Sequence, residues 1–127
     1  MRYLGVDFGT KKIGLAFSDE AGKFAFPFSV IHAGKNAFKE IKKICGEKSI
    51  FKIILGKPGG YKGDAAEIIE KAEKFKKGLE ENTGLSVIFE SEVLSTQQAK
   101  RIQGKGAKID ASAAAIILQS FLDKSKN

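Results

Sequence analysis

Three apolar segments follow one another in the first quarter of the chain, separated only by short turn-like stretches, and the pattern then changes period. Tyr3-Leu4-Gly5-Val6-Asp7-Phe8 has the composition of a buried strand. Gly9-Thr10-Lys11-Lys12 is turn-like and leads into Ile13-Gly14-Leu15-Ala16-Phe17-Ser18, so the pair is expected to form a hairpin. A third strand is expected over residues 24–31, with Pro27 marking it as an edge strand, where no ladder donor is needed. From there Phe38, Ile41, Ile44 and Cys45 recur at helical spacing, predicting an amphipathic helix from about Asn36 to Lys48. Ile50 to Leu55 is a short continuous apolar run, typical of a central parallel strand. Asp64 and Glu67 form a capping-box pattern opening a long helix to about Asn82, stopped near Gly84. A strand over 85–89, a short helix from about Ser95, a Gly104-Lys105-Gly106 loop and a last helix from about Ile109 to Leu122 complete the chain. A meander of three strands followed by alternating helices and strands specifies an α/β fold, a mixed sheet flanked by helices.

The 127 residues fit one core, and neither an internal repeat nor a dividing linker is visible, so residues 1–127 are expected to form a single domain. No apolar run approaches the roughly 20 residues that cross a bilayer. Met1-Arg2-Tyr3 leads straight into a strand without a leader pattern, and Cys45 is the single cysteine. These features read as a soluble, cytoplasmic protein with no membrane partner, no disulfide framework and no zinc cluster. Twenty-two Lys and Arg against fifteen Asp and Glu leave a net charge of +7, which favours a polyanion, nucleic acid first.

The chemistry-bearing candidates are carboxylates. Asp7 interrupts an apolar strand, where a charge costs several kcal/mol unless it is paired, hydrogen-bonded or metal-bound. It could cap the following turn, but Gly5, Gly9 and Gly14 around it would let a backbone or a phosphate approach closely. In the last helix Asp110, Ala113, Ala114, Ile117 and Phe121 share one face, the apolar and small-residue face that must pack on the sheet. Asp110 is therefore expected near another acid, although a helix cap is an equal reading. Glu92 follows the 85–89 strand near its carboxyl end, where α/β sheets bind ligands, but the residues alone favour an exposed loop glutamate, and Glu90 competes with it. Converging carboxylates without a cysteine or histidine cluster suit a hard cation, Mg2+ or Mn2+. The glycine-rich loop 56–63 lacks the ending of a nucleotide-binding P-loop but could offer amides to phosphate, with Lys57 and Lys62 beside it. His32 reads as a surface residue. Without aromatic clusters on the loops, base stacking is not expected to be the main grip, although Tyr61 could stack on one base.

Four segments together resemble the YqgF/RuvX family of small RuvC-like proteins with an RNase H-like fold. They are Gly5 through Asp19, Gly56-Lys57-Pro58 through Gly63, Ser91 through Ala99, and Ile109 through Ala114 with Ile117-Leu118-Gln119. They occur in order and span nearly the whole chain. The resemblance implies a five-stranded mixed sheet with the second strand antiparallel, and a metal site built from Asp7, Glu92 and Asp110. It further implies a hydrolase acting on phosphodiester bonds in 5′-end maturation of the small-subunit (pre-16S) ribosomal RNA, or in cleavage of four-way DNA (Holliday) junctions. In that picture Asp7 bridges two Mg2+ ions while Glu92 and Asp110 each hold one, and Lys11, Lys12, Lys57, Lys62 and Lys105 contact phosphates. The partners implied are a ribosomal RNA precursor or branched DNA, with the protein a monomer or homodimer. Ser91 stands where the family pattern has Asp, Val93 where it has Arg, and Lys57 where it has Leu. A nucleic-acid-binding protein of the same fold with weakened catalysis is therefore one rival. A sugar-kinase-type ATPase, which also opens on a hairpin with Asp-x-Gly-Thr, is the other, but it needs a second lobe.

Overall fold

A computed structural model describes residues 1–9, 11–57, 65–91 and 109–125. The elements run β1 (Arg2–Phe8), β2 (Lys12–Ser18), β3 (Ala25–His32), α1 (Ala37–Glu47), β4 (Ile50–Lys57), α2 (Ala65–Thr83), β5 (Val87–Ser91) and α3 (Ile109–Ser125). The five strands form one sheet in the order β3-β2-β1-β4-β5. β2 pairs antiparallel with both β1 and β3, while β4 runs parallel to β1 and to β5. The mixed sheet with an antiparallel second strand is the one expected, and β3, which carries Pro27, is an edge strand.

Strand alternation divides the core in two. On one face Leu4, Val6, Ile13, Leu15, Ile53 and Leu55 pack against Ala37, Ile41 and Cys45 of α1 and Phe75 and Leu79 of α2. On the other, Ala16 and Ile54 meet Ala114, Ala115, Ile117, Leu118 and Leu122 of α3. Cys45 is a packed apolar residue and His32 is exposed, both as expected.

Three elements differ from expectation. β4 runs past Leu55 through Gly56 and Lys57, which are expected in the glycine-rich loop, because the two pair with Glu90 and Ser91 of β5. The fifth strand begins at Val87 rather than Leu85, because the Leu85 N–H donates to Thr83 Oγ1 and keeps the chain in a turn after α2. The strand extends to Ser91, which pairs with Lys57 of β4, directly before Glu92. α3 continues past Leu122 to Ser125. The expected cap at Asp64 and the short helix from Ser95 lie outside the described residues. No helix among the described residues is long and apolar enough to cross a membrane.

Candidate carboxylate site

Asp7 is the next-to-last residue of β1 and is half-buried. Leu4, Val6 and Phe8 point into the α1–α2 side of the core, so alternation turns Asp7 toward the face that α3 covers. Its direct partner on β2 is Gly14. On β4, Val6 pairs with Leu55, which brings Gly56 level with Asp7 on the other flank. Both neighbours are buried glycines about 4.8 Å away across the sheet, so no side chain stands beside the carboxylate on either strand. The turn after β1 is equally confined, since a Cβ on Gly9 would lie 2.5 Å from the Lys12 carbonyl oxygen. Lys11 and Lys12 follow at once, both exposed at the Asp7 end of the sheet.

α3 crosses β1 head to tail. The Tyr3 ring lies 5.7 Å from that of Phe121, and a Cβ on Gly5 would stand 2.8 Å from both the Ala114 carbonyl oxygen and Leu118 Cβ. Rising along β1 from Tyr3 to Gly5 thus descends α3 from Phe121 toward Ala114. Two more strand residues, about 6.6 Å, reach Asp7. One more helical turn, about 5.4 Å, reaches the backbone of Asp110. The amino end of α3, the positive end of its dipole, therefore approaches the level of Asp7.

The carboxyl-terminal half of α3 is fixed by side chains. Gln119 donates from Nε2 to the Lys23 carbonyl at 2.9 Å and accepts from the Ala25 N–H at 2.9 Å, tying the helix to the start of β3. On the opposite side, Glu90 Oε2 accepts from Ser120 Oγ at 2.9 Å and Lys124 Nζ at 2.7 Å. Glu90 is only 7% exposed and is paired where it lies. Ser120 sits ten residues beyond Asp110, about 15 Å along the helix, so Glu90 is bonded to the distal half of α3 while its backbone pairs with Gly56 of β4.

Of the carboxylates singled out by sequence, the structure brings Asp7 and the backbone of Asp110 to one end of the sheet, and Glu92 lies outside the described residues. Lys57 closes β4 at the same end, and Lys62 and Lys105 lie outside the described residues. No group of three His, Cys, Asp or Glu residues converges among the described residues. The role of Gly56 as Asp7's neighbour was hidden in the sequence, because a parallel pairing joins residues about fifty positions apart.

A sequence model of the family described as "RuvX: Holliday junction resolvase" matches residues 1–124. A protein named "Putative pre-16S rRNA nuclease" from Carboxydothermus hydrogenoformans is 36% identical over 100% of both chains. One of the same name from Caldanaerobacter subterraneus subsp. tengcongensis is 38% identical, over 100% of this chain and 99% of its own. Among solved structures, T. thermophilus RuvC in complex with a Holliday junction substrate superposes with a TM-score of 0.66 at 14% identity, covering 100% of this chain and 97% of that one. Fowlpox virus resolvase in complex with Holliday junction DNA gives a TM-score of 0.55 at 19% identity over 100% of each chain. At these identities the two structures speak for the fold, RNase H-like and shared with RuvC-type resolvases.

Proposed function

Because the chain belongs to the RuvX family, we propose that it is a metal-dependent nuclease acting in the cytoplasm on the 5′ end of pre-16S ribosomal RNA. The observation that carries this reading is Asp7, a half-buried carboxylate at the carboxyl end of β1 with glycine on both neighbouring strands. The two glycines leave the space a cation and a phosphate need beside the Asp7 carboxylate.

The donor set fits a hard divalent ion. Asp7, Glu92 and Asp110 offer only carboxylate oxygens, the ligands that Mg2+ and Mn2+ prefer. These three residues would hold the metal, whose chemistry is to acidify the attacking water and stabilise the leaving oxygen. Asp7 presents its oxygens from a strand held by ladders on both sides, which fixes their direction. The amino end of α3 favours negative charge and would help to hold a scissile phosphate. Lys11 and Lys12, exposed just past Asp7, would neutralise flanking phosphates without reading sequence, and Lys57, Lys62 and Lys105 are assigned the same task.

Incubation of a 5′-extended pre-16S RNA fragment with Mg2+ tests the reading. Wild-type protein is expected to cut it, and Asp7→Asn to lose more than about 100-fold, beyond what supporting groups around a metal usually contribute. Undiminished cleavage by Asp7→Asn would remove Asp7 from the site. Binding without cleavage by the wild type would identify a binding protein of this fold. The family's description as resolvases favours one second reading, cleavage of four-way DNA junctions. A junction cut in preference to the RNA would decide for it.

A further inference from the structure

β3 exposes an aromatic surface that neither core nor acid site uses. On the sheet face opposite α3, the half-buried Phe17 ring lies 6.3 Å from Phe26 and 5.5 Å from Phe28. Phe26 is 47% exposed and Phe28 38%, large values for rings on a strand. Cations stand among them. Lys48 Nζ is 4.5 Å from the Phe17 ring centre and 4.7 Å from that of Phe28, and the Arg2 guanidinium is 5.8 Å from Phe17. The backbone presenting these rings is held in place. Asp19 Oδ1 accepts from the Lys23 and Phe24 N–H groups at 2.8 and 3.2 Å, and Gln119 clamps the same segment to α3.

Exposed rings interleaved with cations on an ordered strand are the arrangement that grips single-stranded nucleic acid, with bases stacked on ring faces and phosphates passing the ammonium groups. We propose that the Phe26–Phe28 face, with Lys48, is a stacking surface for single-stranded RNA on the side of the sheet away from Asp7. The proposal rests on the nuclease reading above for the identity of the strand. The charge of the chain, +7, suits this occupant and opposes a second copy of the same protein. Edge pairing with another copy is further impeded by Pro27, which has no N–H, and by the register shift between Leu15 and Ala16.

Fluorescence anisotropy with a labelled mixed-sequence single-stranded RNA, in EDTA so that cleavage plays no part, tests it directly. Phe26→Leu/Phe28→Leu keeps the apolar surface and removes the rings, and it is expected to weaken binding at least about tenfold. Phe26→Tyr/Phe28→Tyr is expected to bind within about twofold of wild type, and binding of the corresponding duplex to be unchanged in both variants. Unfolding midpoints measured on each variant confirm that the fold is kept. The proposal is overturned if the leucine pair binds single strands like wild type, if wild type binds single-stranded DNA but not RNA, or if sedimentation shows a wild-type dimer abolished by the leucine pair. The Asp7→Asn cleavage assay is independent of this readout, so either reading can fail alone.

Discussion

Gly5 is the residue on which the placement of α3 turns. A methyl group there would press on the Ala114 carbonyl and on Leu118 Cβ, both 2.8 Å away, and backbone cannot swing aside as a flexible side chain can. Gly5→Ala is therefore expected to cost about 1–3 kcal/mol, read from the urea midpoint, and to lift the amino end of α3 away from Asp7. An unchanged midpoint would mean that the helix is not seated there. Cys45 makes a different prediction. Burial pushes its thiol up from 9.0 to about 11. As pH rises through about 9 to 11, the unfolded chain releases this proton before the folded one does, so stability falls across that window and is unaffected below it. Cys45→Ala should flatten that alkaline decline, measured as unfolding midpoints against pH. At this scale Asp7 was legible because a charge in an apolar run stands out. The approach of the amino half of α3 to β1 was legible from helical spacing and the alanines at 113–115. Gly56 was not, because its importance lies in a strand pairing that local sequence does not encode.

Among the elements, α3 carries the most information about the site. Ala114 and its neighbours bring its amino half onto β1, while Gln119, Ser120 and Lys124 fix the other half to β3 and β5. Among the described residues Lys124→Ala leaves the buried Glu90 carboxylate with Ser120, and is expected to cost about 1–3 kcal/mol, at the low end because the lysine itself is largely exposed. Combined with Glu90→Gln the loss should be less than the sum of the two, since the charge that needed the lysine is gone. Additive losses in that double-mutant cycle would mean the pair is not coupled. The helical periods and the edge character of the Pro27 strand were readable, as period and proline are local signals. The clamp around Glu90 was not, because it joins residues 30 and 34 positions apart through a fold that must already exist. The two-residue offset of β5 had the same origin, a hydrogen bond from Leu85 to Thr83 Oγ1 that hydrophobicity does not report.

For the whole molecule, composition indicated a polyanionic partner but not which surface meets it. The fold turns Lys11 and Lys12 to the Asp7 end and the phenylalanines of β3 to the opposite face. If each lysine neutralises one phosphate of a single strand, Lys11→Ala/Lys12→Ala should make the dependence of log affinity on log salt shallower by about 1.4. An unchanged salt slope would place the RNA elsewhere. The sheet order, with β1 central and β4 beside it, sets Asp7 between two glycines, and the family resemblance anticipated the sheet without that detail.

The central claim is that Asp7 is a ligand of the nuclease metal. A crystal soaked in Mn2+ and measured at the manganese edge tests it most directly. An anomalous peak is expected within coordination distance of the Asp7 carboxylate, shared with Glu92 and Asp110. A manganese peak elsewhere, with the Asp7 carboxylate contacting only protein atoms, would contradict it.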